Sequence, residues 1–149
     1  MRIQNQKDWI DIEFARYAKD AECVIQGLFD VENCVEIDFN FNIENDGWGC
    51  VGYEYFYTKD IKALAEGFSR ILFGICETFT YSAGYPYESL TPDPFYIFNI
   101  IRDENQISFS LKIHDRLCDY ISVTETMELS KFENIVAEVK EASRMFPVV

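Results

Sequence analysis

His114 is the only histidine of the chain, and Asp115 and Cys118 follow it closely. A cysteine nucleophile needs a cation or a helix N-terminus to stabilise its thiolate, and its base needs an orienting partner. The alternation that ends at this point, Ile107, Phe109, Leu111 and Ile113 against Ser108, Ser110 and Lys112, predicts a strand with His114 on its wet face beside a turn. A surface histidine is expected there, and no catalytic residue is assigned. The series Asp38-x-Asn40-x-Asn42-x-Glu44 resembles the oxygen-rich opening of a calcium loop. Such a loop wants Gly at its sixth position and a bidentate Glu at its twelfth; those places hold Ile43 and Gly49. No metal ligand set and no cofactor are therefore predicted. The glycines of Gly47-Trp48-Gly49-Cys50-Val51-Gly52 open a strand rather than a helix and lack the Lys and hydroxyl of a phosphate loop. Tyr53, Tyr55, Phe56 and Tyr57 have no flanking Lys or Arg to make a nucleobase platform.

One charge pattern survives these tests. Between Lys19 and Lys59 there is no Lys, Arg or His, while nine carboxylates fall inside: Asp20, Glu22, Asp30, Glu32, Glu36, Asp38, Glu44, Asp46 and Glu54. Local salt bridges cannot lace them, so they are expected to face water, a metal or a basic partner. The candidate partner-binding residues are Asp30, Glu32, Glu36, Asp38, Glu44, Asp46 and Glu54, with Trp48 as an aromatic anchor.

The whole chain leans the same way. Its 149 residues carry 13 Lys and Arg against 26 Asp and Glu, a formal net charge of −13. That balance argues against holding nucleic acid by its phosphates, which Lys and Arg must neutralise, and favours rapid encounter with a cationic protein. A chain this long is expected to form one domain, 1–149, and to bury roughly 68–70% of its unfolded surface. With 16% aromatic residues it has the apolar area to offset ordering entropy. No apolar run approaches the roughly 20 residues of a membrane span, and MRIQNQKDWIDIEF has no apolar signal core. A cytoplasmic protein without membrane contact is expected. Cys23, Cys34, Cys50, Cys76 and Cys118 are odd in number and lack a C-x-x-C pair, so they are expected to be free and to pack as small hydrophobes.

The elements that must position these residues follow from periodicity. Ile10, Ile12 and Phe14 alternate with Asp11 and Glu13, and the run Glu22–Asp30 is apolar. In Val35–Phe41 the apolar residues Val35, Ile37, Phe39 and Phe41 face one way and Glu36, Asp38, Asn40 and Asn42 the other. Asn45-Asp46-Gly47 predicts a hairpin into Trp48–Tyr57. Ile61, Leu64, Ala65, Phe68, Ile71 and Leu72 then recur at helical spacing, with Thr58 as N-cap and Gly74 as C′ residue. Gly67 inside that helix implies a close neighbour, since Gly costs about 1 kcal/mol relative to Ala there. A strand-like run Ile75–Ser82, a Pro- and Tyr-rich loop over 83–94, and strands near Phe95–Arg102, Gln106–Ile113 and Leu117–Glu125 come next. A second helix follows, opened by the capping box Ser130-Lys131-Phe132-Glu133 and stopped by Pro147. Its face is Phe132, Ile135, Val136, Val139 and Ala142. The expected class is α+β: an antiparallel, meander-like sheet of about seven strands packed by two amphipathic helices.

The pattern Ile61-x-x-Leu64-Ala65-x-x-Phe68-x-x-Ile71-Leu72-x-Gly74, followed by strands and a capped final helix in a small acidic β-rich chain, resembles the WapI-like immunity proteins of bacterial polymorphic and contact-dependent toxin systems. The resemblance spans residues 30–146. It implies a non-enzymatic protein that binds and neutralises a basic toxin domain, often a nuclease. The alternatives are a small enzyme using a carboxylate in a sheet cleft, or a non-catalytic adaptor subunit.

Overall fold

The computed structural model describes residues 1–20, 31–43, 47–83, 96–114 and 120–149. Four strands form the first sheet, β1 (Arg2–Gln4), β2 (Trp9–Tyr17), β3 (Cys34–Ile43) and β4 (Gly47–Tyr57), and the helix α1 (Thr58–Leu72) follows. Four more strands form the second, β5 (Thr78–Ala83), β6 (Tyr96–Asp103), β7 (Gln106–His114) and β8 (Tyr120–Glu128), and α2 (Leu129–Met145) follows these. Each sheet is an antiparallel meander in chain order. The α+β class, the antiparallel pairing and the two amphipathic helices are as expected; among the described residues the strands number eight and divide between two sheets. Of the other expected features, the run Glu22–Asp30, the turn residues Asn45 and Asp46, and most of the loop over 83–94 lie outside the described residues.

The sheets share one core. Val35, Ile37, Phe39 and Phe41 are buried as their alternation predicts, and so are Ile107, Phe109, Leu111 and Ile113 from the second sheet. On α1 the Phe68 ring meets Phe79 of β5, Phe98 of β6, Phe109 of β7 and Phe132 of α2 at 5.4–6.0 Å between centroids. The edges of β1 and β8 meet through side chains: the Gln4 amide donates to Glu125 Oε2 (2.8 Å) and Asn5 Nδ2 to the Thr124 carbonyl (3.3 Å). Lys131 at the start of α2 donates to the other oxygen of Glu125. One carboxylate thus ties β1, β8 and α2 together.

Both helices begin one residue after a strand ends. Their N-caps, Tyr57 and Glu128, are extended and make no side-chain cap bond. Thr58 is therefore not an N-cap; it lies inside α1, and its hydroxyl donates to Asn33 Oδ1. Nor does the Ser130–Glu133 box cap α2, because the β7–β8 ladder runs to Glu128 opposite Gln106 and α2 begins at Leu129. The Leu129 N–H is taken instead by the Asn105 carbonyl at 3.1 Å. The C-terminal reading of α1 holds. Gly74 has φ +70°, and the Gly74 and Ile75 amides donate to the carbonyls of Ile71 and Arg70, the paired bonds of a Schellman ending. Arg102 Nη1 satisfies the carbonyls of Ile71 and Leu72 at 2.9 and 2.7 Å.

Gly67 does have its close neighbour: a Cβ there would stand 2.1 Å from the Phe79 ring. Ala is the better helix former by about 1 kcal/mol, yet the overlap decides the sign. Gly67→Ala is expected to destabilise by about 1–3 kcal/mol, the usual range for overpacking. Adding Phe79→Leu should recover most of that loss. Urea denaturation of the two single variants and the double variant checks this.

Candidate functional site

The acidic candidates divide once the strands are paired. Asp30, Glu44 and Asp46 lie outside the described residues, as do the side chains of Trp48 and Glu54, which the backbone register sets opposite Asn42 and Ile37. Glu32 is exposed and its carboxylate accepts from Lys19 Nζ at 2.7 Å. Glu36, expected on the wet face, is instead buried at 7% exposure and accepts from Arg16 Nε at 3.1 Å. Lys19 and Arg16 lie at or outside the edge of the cation-free window in sequence. The antiparallel β2–β3 ladder sets Arg16 directly opposite Glu36, so local salt bridges do lace part of the run. Asp38 is exposed as expected, and Asn40 and Asn42 are half-buried.

Asp38 stands directly opposite Glu13 of β2. Like charges at such positions repel and destabilise a sheet. The same outward face carries Asp11 opposite Asn40 and Trp9 opposite Asn42. The Arg2 guanidinium stacks 4.4 Å over the Trp9 ring. Alongside, β2 and the end of α2 enclose a groove of about 320 Å³. Its apolar lining comes from Met1, Ile12, Phe14, Ala142, Met145 and Phe146; its acids are Glu13, Glu138 and Glu141, and the Met1 ammonium is the one cation in the described lining. Met145 is exposed here, while Phe146 packs on Tyr17 in a T-shaped contact. Glu138 accepts from the Met1 ammonium at 2.8 Å, and Glu141 from Arg144 at 3.4 Å. The window between Lys19 and Lys59 excluded all three acids. Glu13 was legible as the wet side of an alternating strand, but Glu138 and Glu141 become its neighbours only through tertiary packing.

A second polar cluster is internal. Asp60, in the first turn of α1, is buried and accepts from the Tyr81 hydroxyl at 2.8 Å, locking β5 to the helix. Burial of the phenol, and then its hydrogen bond to Asp60, push the Tyr81 pKa up to about 12. Cys34 is buried and Cys76 half-buried. Cys23, Cys118 and Asp115 lie outside the described residues, as do the side chains of Cys50 and His114. Among the described residues no group of three or more His, Cys, Asp or Glu is placed to hold a metal ion, and no helix is long and apolar enough to cross a membrane. No protein-family model matches the chain and no curated protein matches it.

The two fates of the β3 acids are separable by experiment. Glu36→Lys sets a buried ammonium against Arg16 and is expected to cost about 3–5 kcal/mol. Asp38→Lys relieves the repulsion with Glu13 and should stay within about 0.5 kcal/mol of the parent or stabilise it; urea midpoints measure both. Tyr81 gives a pH signature. Its proton is held more tightly in the native chain than at the unfolded value of about 10, so its contribution to stability is complete below about pH 10. It is lost as pH rises through about 12. Tyr81→Phe should flatten that alkaline decline and remove one phenolate transition near pH 12 from an ultraviolet titration.

Proposed function

We propose that this protein is a stoichiometric inhibitor of the immunity type, which binds a basic toxin domain through the face built by β2, β3 and the end of α2. The observation that carries this reading is the groove whose apolar lining, Phe14 and Met145 included, is accompanied by Glu13, Glu138 and Glu141 and adjoins the Glu13–Asp38 pair. An apolar centre with charge around it is how protein partners gain both affinity and register. Glu13 and Asp38 stand opposite each other on β2 and β3, and a cation of the partner placed between them would be held by both. A net charge of −13 steers such a partner from a distance. Carboxylates set against a nuclease site would stand where the substrate's phosphates bind, so inhibition needs no chemistry from this chain. The resemblance of the α1 pattern to WapI-like immunity proteins points the same way.

Glu36 belongs to the folded core, so the test uses Glu13 and Asp38. The chain is co-expressed with the product of the gene directly upstream, the expected toxin, and the pair is purified. A one-to-one complex is expected, with Glu13→Lys/Asp38→Lys slowing association at least tenfold in low salt while leaving the urea midpoint unchanged, because one like-charge pair replaces another. An acidic partner, or an unchanged association rate, would sink the assignment.

A further inference from the structure

On the opposite sign, α1 and α2 enclose a second groove of about 760 Å³. The helices run antiparallel: Phe68 late in α1 meets Phe132 early in α2, while Asn33 Oδ1 accepts both from Thr58 at the start of α1 and from the Val149 amide beyond α2. Lys62 and Arg70 line one wall, Lys140 and Arg144 the other, and Glu66 is the only acid in the lining. Of these cations, Lys62, Arg70 and Lys140 make no ion pair with any described residue, whereas Arg144 pairs with Glu141. Facing helices ordinarily set opposite charges against each other. Here a chain with twice as many acids as bases gathers four of its 13 cations around one groove.

We infer that the α1–α2 groove is a docking site for an acidic peptide segment of a second protein. The lining excludes a compact phosphate as the better fit. Apart from Pro147, which has no N–H, and Val148, its residues lie within helices, where backbone N–H groups are already bonded, so the walls lack the convergent amides that usually gather a phosphate. The cations are instead spread lengthwise. Lys62 and Arg70 lie eight residues apart, about 12 Å along the axis, the reach of three or four residues of extended chain. In the same lining Ala65, Pro147 and Val148 offer apolar surface for side chains alternating with carboxylates. The rest of the molecule repels such a peptide at long range, so recognition is a contact effect, felt within the ~8 Å screening length of physiological salt. This inference concerns a different face and a different partner from the toxin-binding reading and does not rest on it.

The test is fluorescence anisotropy at physiological ionic strength with the full-length protein. The probe is a fluorescein-labelled short peptide alternating Glu and Leu, and an alternating Lys and Leu peptide serves as the opposite. The Glu peptide is expected to bind, and Arg70→Gln/Lys140→Gln to weaken it about tenfold, the worth of two exposed ion pairs. Lys112→Gln on the distant strand β7 should leave it unchanged, and the Lys peptide should be insensitive to the groove variant. All three substituted side chains are exposed, so the folds should melt as the parent does. Absence of Glu-peptide binding, or equal loss with Lys112→Gln, overturns the inference. So does tighter binding of inorganic polyphosphate that displaces the peptide, which would make the groove a phosphate site. Self-association abolished by the groove variant would assign the site to a second copy and likewise overturn it.

Discussion

The Phe68 ring joins the two halves of this molecule. It projects from α1, which follows the first sheet, into rings supplied by β5, β6 and β7 of the second sheet and by α2. Phe56 on β4 extends the chain of contacts to Phe14, Tyr96 and Phe98. Neither meander alone could bury its apolar face; aromatic rings packed edge-to-face or tilted at 4.5–7 Å supply large area and defined geometry at once. Gly67 is part of the same constraint. Without a side chain there, the Phe79 ring can lie against the helix backbone and reach Phe68.

That shared core fixes where charge may go. Sheets packed on one side leave one wet face, and helices packed on sheets leave one wet stripe. The acids of β2 and β3 gather on the first and the cations of α1 and α2 on the second, so a strongly acidic chain carries two surfaces of opposite sign. The bonds at the corners hold this arrangement still. Glu125 links β1, β8 and α2, Asp60 holds Tyr81 against α1, and Arg102 closes the end of α1. Each is a polar group satisfied across elements, which defines relative placement more sharply than apolar contact does.

Much of the fold was legible in the residues. Strict alternation in Val35–Phe41 and Gln106–Ile113 can bury only one face, and the helical spacing from Ile61 to Leu72 can bury only one stripe. The Gly74 ending was readable because a positive φ there suits only a residue without Cβ. The helix starts were misread for a definite reason. Thr58 and Ser130 have the chemistry of caps, but strands running directly into helices leave the cap position to Tyr57 and Glu128. The candidate site was legible only in part. Counting charges along the chain placed Asp38 rightly on an exposed face, but it also placed Glu36 in water and passed over Glu13, Glu138 and Glu141.

The sequence by itself determined the class of the fold, its two amphipathic helices, the members of the core and the excess of negative charge. Those are properties of composition and of periods of two and 3.6 residues, which act locally. Only the tertiary structure decided which charges are neighbours. Arg16 meets Glu36 because β2 returns along β3, Glu141 reaches the groove beside β2 because α2 comes back across the sheet, and Lys62 and Lys140 share a groove because two helices distant in sequence pack antiparallel. Electrostatic energy depends on distance through space and on burial, and neither is written in the order of the residues.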